Sequence, residues 1–169
     1  MTVYFKAFDV GWLRIEADDD AIVRIDYSDQ AEPSDDMTPV VEQCIRELSE
    51  YFKGERQNFD VKLNPEAGGT DFQQSVWKEL RKIPYGETIS YKTLAERISG
   101  SNYSRAVANA NGKNPISIII PCHRVIASNH TLGGYTGGLD KKKLLLDIEG
   151  QWQSCYIDKI QLYLKYQKQ

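Results

Sequence analysis

The apolar residues of this chain change period on either side of a short Pro- and Gly-containing stretch, Asn64–Gly69 (NPEAGG), and that change sets what the chain can fold into. Before it, three runs rich in Val, Ile, Phe, Tyr and Trp read as strands: Val3–Phe8, Trp12–Ala17 and Ala21–Tyr27, with Asp18-Asp19-Asp20 as the turn between the last two. The acidic stretch Ser28–Asp36 reads as a loop. A helix follows, with Thr38 at its N-cap, Pro39 at its first position, the stripe Val41, Ile45, Leu48 and Phe52, and Gly54 as its stop; Cys44 lies beside that stripe. Phe59–Leu63 suits one further strand.

After the stretch, the period is helical. Phe72, Val76, Leu80 and Ile83 mark one helix face, and Pro84 ends it. Ser90 caps a short helix whose face is Tyr91, Leu94, Ala95 and Ile98, and Gly100 breaks it. A third helix starts near Ser101–Ser104 and runs through Arg105, Val107 and Ala110 to Gly112. Two short helices about a tight Gly-containing turn are a helix-turn-helix candidate, a pattern that also occurs away from DNA. Ile116–Ile120 reads as buried and extended, and delivers the chain to Pro121-Cys122-His123-Arg124-Val125-Ile126. A glycine-rich turn, Gly133–Gly138, precedes a basic helix through Lys141–Leu146 that reaches Glu149-Gly150, and Ile157, Ile160 and Leu164 suit a helix in the tail. The expectation is an α/β (α+β) chain: a small strand-and-helix domain over 1–69, then a mostly helical domain with a helix-turn-helix over 70–169.

Composition narrows the function. At 41% hydrophobic and 27% charged, the chain can bury a core; it opens without a signal-peptide pattern and contains no apolar run of membrane-spanning length. A cytoplasmic protein with no membrane partner is the expectation. Cys44, Cys122 and Cys155 are far apart with no CxxC pair, so neither a disulfide framework nor a zinc site is expected, and no metal or cofactor. The charge is uneven. Residues 1–69 hold 16 acidic and 7 basic residues, a net of −9, whereas residues 70–169 hold 8 and 14, a net of +6. A basic second half can meet phosphate; two ordinary solvated surfaces would give the same numbers.

Any imidazole chemistry must use His123 or His130, and His123 adjoins a cysteine. A thiol becomes a good nucleophile when a base takes its proton and a third group orients that base. Cys122, His123 and Glu149 offer such a relay; an inert buried cysteine is the competing reading.

The string Pro121-Cys122-His123-Arg124-Val125-Ile126 resembles the active-site signature of the O6-alkylguanine-DNA alkyltransferases, the methylated-DNA–protein-cysteine methyltransferases. It is preceded at that family's spacing by Ser90-Tyr91, Leu94-Ala95, Arg105-Ala106-Val107 and Asn114-Pro115. It is followed by Gly134-Tyr135-Thr136-Gly137-Gly138, Lys142, Leu144-Leu145 and Glu149-Gly150. The likeness runs from about Thr70 to Gly150; residues 1–69 resemble the family's variable N-terminal domain only in length and element order.

The resemblance implies a monomeric DNA repair enzyme without cofactor, whose partner is double-stranded DNA containing O6-alkylguanine. O4-methylthymine is a second expected substrate. Cys122 would accept the alkyl group and keep it, so that each molecule acts once. His123 would take the thiol proton through a water molecule, and Glu149 would hold the tautomer of His123. Tyr135 and the Thr136 backbone N–H would meet the charge developing on guanine O6. The nucleotide must leave the stack. Arg105 would fill its place, Tyr91 would press on its phosphate, and the helix-turn-helix would enter the minor groove. Asn114 would brace the loop behind the helix, while Pro121 and Gly133–Gly138 would wall the pocket. Asn111 stands where some relatives carry an apolar pocket residue. His130, in a loop, is expected to be exposed and outside the chemistry, with Asn129 in a left-handed turn conformation. Two other readings are a binding protein that recognises alkylated DNA without repairing it, and a cysteine hydrolase built on the same three residues.

Overall fold

The computed structural model describes residues 1–65 and 68–150. The expected tail helix through Ile157, Ile160 and Leu164, with Cys155, lies outside the described residues.

The chain is a mixed α/β protein. Strands β1 (Thr2–Phe8), β2 (Gly11–Asp18) and β3 (Ala21–Ser28) form an antiparallel meander in that order. Both hairpins close through two residues, and the second uses Asp19 at φ 54°, a conformation a short acidic side chain tolerates. Leu13, Ile15 and Ala17 alternate into the core while Arg14 and Glu16 pair on the other face at 2.8 Å. The imperfect alternation of the third run has a physical cause. A register shift opposite Glu16/Ala17 leaves Val23 as an extra residue, so Ile22 and Ile25, three apart, both point inward.

Helix α1 (Pro39–Phe52) packs on all three strands. Its buried face is turned from the expected stripe. Cys44, Leu48 and Tyr51 are fully buried, whereas Ile45 and Phe52 are only partly so. Thr38 sits at the N-cap, but its hydroxyl makes no capping bond and Pro39 starts the helix instead. Phe59–Leu63 does not form a strand. The buried Glu47 carboxylate accepts the Asp60 and Val61 N–H groups at 2.7 and 3.1 Å, and only Leu63 bridges to β3, at Ile22.

Helix α2 (Asp71–Leu80) opens on a capping box between Thr70 and Gln73, and Trp77 on it donates its indole N–H to the Ala110 carbonyl at 2.9 Å. Strand β4 (Ile89–Ser90) runs parallel to β5 (Val125–Ile126). Ser90 then caps helix α3 (Tyr91–Ile98), Gly100 at φ 126° turns the chain, and after a single 3-10 turn helix α4 (Ser104–Gly112) begins. Helix α5 (Leu139–Ile148) closes the described fold. Among the described residues, no helix is long and apolar enough to cross a membrane.

The outer edge of β3 is where the halves meet. Ile25 bridges Ile116, with its N–H on the Pro115 carbonyl at 2.9 Å and its carbonyl taking the Ser117 N–H at 3.1 Å. A sheet edge left bare would be open to foreign strands; here it is covered by the segment that leads to Cys122. Core residues from both halves form one continuous cluster.

Candidate active site

The segment before Cys122 is not extended, as its apolar composition suggests, but tightly coiled. The Ile119 N–H bonds the Ser117 carbonyl at 2.9 Å around Ile118, which is held at φ 74°, a strained setting for a β-branched residue. The Cys122 N–H bonds the Ile120 carbonyl at 2.8 Å around Pro121, at φ −82° and ψ 64°. This is an inverse γ-turn that the proline ring favours. Asn114 ties the coil together. Its amide N–H₂ reaches the Ile120 and Ile116 carbonyls at 2.8 and 3.3 Å, and its oxygen accepts the Ile116 N–H at 3.1 Å. A side chain that pairs like a strand satisfies backbone groups that burial would otherwise leave unbonded. The coil ends in one 3-10 turn, Cys122–Arg124, all three residues buried.

Behind Cys122 lies a saturated carboxylate. Glu149 Oε2 accepts the His123 Nε2–H and the Tyr51 hydroxyl, each at 2.6 Å, and an Arg124 Nη2–H at 3.3 Å. Its Oε1 accepts the Arg124 Nε–H at 2.7 Å and the Gly86 N–H at 3.3 Å. Burial alone would raise the Glu149 pKa, but the imidazole and guanidinium contacts outweigh it and hold the value at about 2. The imidazole is fully buried and, through desolvation, held below its ordinary value, so at rest it is neutral. A neutral ring that gives Nε2–H to a carboxylate keeps a lone pair on Nδ1, and Nδ1 has no hydrogen-bond partner among the described residues. Burial likewise raises the Cys122 pKa, opposed by the Asn114 amide, the Lys142 ammonium and the Tyr135 phenol. The resting pair is therefore thiol and imidazole, with the Nδ1 lone pair unused.

In front of Cys122 is a cavity of about 380 Å³, lined by Tyr91, Asn111, Gly112, Cys122, Tyr135 and Thr136 among others. Cys122 itself is only 3% exposed, so the cavity is its route to solutes. The Tyr135 phenol is held well above its ordinary pKa by burial and stays a potential donor. Thr136 gives its hydroxyl to the Gly112 carbonyl at 3.0 Å, while its backbone N–H makes no hydrogen bond among the described residues. The Tyr91 hydroxyl reaches the Gly134 carbonyl at 3.3 Å, and its ring lies so close to Gly133 that a Cβ there would come within 2.9 Å. Buried Lys142 donates to the carbonyls of Val125, Leu132 and Gly134 and so fastens the loop carrying Tyr135 to α5. Desolvation lowers its pKa to about 8.

Other expected residues lie elsewhere. Arg105 is exposed, its guanidinium without a hydrogen bond or ion pair among the described residues, one turn before the cavity-lining Ala108 and Asn109 on the same face of α4. Pro121 does not line this cavity. Spent on the turn that aims Cys122, it borders a separate depression with Ile83 and Arg124. In the loop, His130 rather than Asn129 takes the left-handed conformation, at φ 65°, because the Asn129 side chain is occupied in accepting from Thr131. His130 is exposed. No cluster of His, Cys, Asp and Glu among the described residues could hold a metal ion. Arg124 and Lys142 stand within the family-like pattern without a role assigned to them, and nothing in the sequence points to Tyr51 or Tyr27. A fully buried lysine on a basic helix and an arginine next to Cys-His carry no periodic signal.

Residues 2–65 match the ribonuclease-like domain of 6-O-methylguanine DNA methyltransferase, and residues 71–151 match its DNA-binding domain. The methylated-DNA–protein-cysteine methyltransferase of Haemophilus influenzae is 43% identical over 157 residues, covering 89% of this chain and 85% of that protein. The protein of that name from Methanosarcina acetivorans is 55% identical over 108 residues, 64% of this chain and 68% of its own length. A crystal structure of Mycobacterium tuberculosis OGT in complex with DNA superposes with a TM-score of 0.78 at 40% identity, covering 86% of this chain and 90% of that one.

Proposed function

The chain belongs to the 6-O-methylguanine DNA methyltransferase family, and from that premise we propose that it moves the alkyl group of O6-alkylguanine in duplex DNA onto Cys122, once per molecule. Membership carries DNA repair by alkyl transfer; the finer reading rests on the site. The observation that supports it most is Cys122 at a cavity with a neutral, Glu149-bound imidazole beside it and a phenol on the cavity wall.

In the proposed step the Cys122 thiol proton passes to His123 Nδ1, through a water molecule, and Glu149, held in place by Arg124, stabilises the imidazolium that forms. The Cys122 Sγ lone pair attacks the alkyl carbon as the bond from that carbon to O6 breaks. The bonding pair leaves with guanine, and Tyr135 O–H with the Thr136 N–H meets the charge. The product thioether has no leaving group that would restore the thiol. Extrusion of the nucleotide costs a few kcal/mol, least for a damaged base. Arg105, exposed on the face of α4 that borders the cavity, is suited to occupy the vacated stack, and α3 with α4 to lie on the duplex as a helix-turn-helix. Tyr91 is suited to guide the flipped nucleotide. The same geometry extends to O4-methylthymine, whose alkyl carbon is attacked in the same way.

The test is a duplex bearing radiolabelled O6-methylguanine. Label should appear on the Cys122 peptide and stop at one equivalent, and Cys122→Ala should bind the duplex without transfer. Tight binding by wild type with no label on Cys122, or turnover beyond one equivalent, would overturn the reading.

A further inference from the structure

Two phenols from the N-terminal half reach the two ends of this site. We propose that Tyr51 and Tyr27 are positioning residues for the transfer, so that the N-terminal half is a working part of the active site; this deepens the proposed function and rests on it.

Tyr51 stands at the base end. It projects from α1, 98 residues away in sequence, and is fully buried against Phe52, Phe59 and Tyr85. A phenylalanine would fill that space without the cost of desolvating a hydroxyl. The hydroxyl is used: it donates to Glu149 Oε2, the same oxygen that receives His123 Nε2. The groups facing this carboxylate are Tyr51 from α1, Tyr85 and the Gly86 N–H from the loop before β4, and His123 and Arg124 from the 3-10 turn; Lys142 on α5 lies beyond the imidazole. Each donor makes Glu149 a weaker base. Without Tyr51 the carboxylate pulls harder on the imidazole N–H, and His123 holds a proton to higher pH.

Tyr27 stands at the leaving-group end. Its hydroxyl lies 2.7 Å from that of Tyr135, and the rings meet edge to face. Gly137 presses on the Tyr27 ring so closely that a Cβ would come within 2.5 Å of it. The Lys141 ammonium sits 5.5 Å from the ring centroid. A cation over a phenol ring draws density from it and makes its O–H the better donor. With Tyr27 donating, the hydrogen of Tyr135 is free to turn into the cavity. Were the bond reversed, Tyr135 would offer guanine O6 only lone pairs, the wrong sign for developing negative charge.

The experiment compares wild type, Tyr27→Phe and Tyr51→Phe in two reactions of Cys122 from pH 5 to 9. One is single-turnover transfer from the O6-methylguanine duplex. The other is alkylation by iodoacetamide, in which no guanine leaves. Tyr27→Phe should slow transfer about tenfold, the usual weight of one donor to a charged group, and leave iodoacetamide within about twofold. Tyr51→Phe should move the acid-side midpoint of both reactions up by ~0.7 unit, a fivefold loss below it. Near-UV circular dichroism and melting temperature report folding. Should Tyr27→Phe fail to fold, Lys141→Met, which removes the cation beside the Tyr27 ring, must show the same split between the two reactions in smaller measure. Equal loss in both reactions for the Tyr27 variant, or an unmoved midpoint for the Tyr51 variant, overturns the assignment. Wild type that reacts with iodoacetamide but takes nothing from the lesion overturns the proposed function instead, and the Tyr51 midpoint in the iodoacetamide reaction still decides that residue's role.

Discussion

Glu149→Gln is the most informative single change to stability. The carboxylate receives five donors, and Arg124, only 7% exposed, has it as its ion-pair partner. Neutralising it strands a buried guanidinium, a loss of ~3–5 kcal/mol for such pairs. A second route gives a like figure. The carboxyl is held at about 2 against 4.5 when free, and that difference corresponds to ~3 kcal/mol of linked stability. The folded value lies below the unfolded one, so this stabilisation is complete above about pH 4.5 and is lost as pH falls toward 2. For a chain of this size, 1 kcal/mol moves the melting temperature by about 2–4 °C. The variant should therefore melt roughly 10 °C below wild type at pH 7. Thermal and urea unfolding from pH 7 to 3 should show that gap narrowing only below pH 4.5, with the acid slope of the variant flatter. A variant that melts within about 2 °C of wild type at pH 7, or a gap that is constant with pH, would refute the pairing and the ionised state assigned to Glu149.

Arg105→Ala should slow transfer on duplex DNA at least about tenfold while single-stranded lesion reacts as wild type, because only the duplex requires a base to be expelled; equal rates on the duplex remove Arg105 from extrusion. Gly137→Ala places a methyl group within 2.5 Å of the Tyr27 ring and should cost ~1–3 kcal/mol in urea unfolding and part the two phenols. An unchanged midpoint would mean that the ring yields freely. Lys142→Met leaves three carbonyls without their ammonium donor, so amide exchange between 127 and 134 should quicken while the sheet of β1–β3 stays protected. Uniform quickening across the chain would show that the staple is not local.

What could be read from the sequence follows how far its causes reach. The strands, the Ser90 cap and the helix break at Gly100 are local matters of period, capping and φ, and they are where the residues put them. Ile116–Ile120 reads as a strand but is a coil because apolar composition reports burial, and a coil held by Asn114 buries its isoleucines as well as a strand does. Phe59–Leu63 has the composition of a strand but forms none, because its N–H groups are taken by one carboxylate, Glu47, from another element. Chemistry alone offers His123 with Glu149 as one candidate relay, and the resemblance selects it; residue spacing does not. Tyr51 and Tyr27 escaped both, since they meet their partners across 98 and 108 residues and in strand and helix patterns read only as apolar bulk.

The resting protonation state bears on why Cys122, proposed to react once, is buried. A thiolate at neutral pH would be spent on any passing electrophile. Here burial keeps Cys122 protonated, above the ordinary thiol range, while His123 is neutral and ready to accept. On the proposed chemistry, ionisation then belongs to the loaded site: a purine in the cavity brings the alkyl carbon to Sγ just where the proton can leave. Two measurements follow. Thiolate absorbance near 240 nm, referred to Cys122→Ala, should show no ionised Cys122 at pH 7 and a midpoint above that of a free cysteine. Iodoacetamide, which lacks the purine, should label the resting protein slowly at pH 7, above the His123 step, and faster again as pH rises into the thiol range. A difference spectrum with full thiolate at pH 7 would mean that the pocket stores an activated sulfur, and selectivity would then have to come from access to the cavity alone.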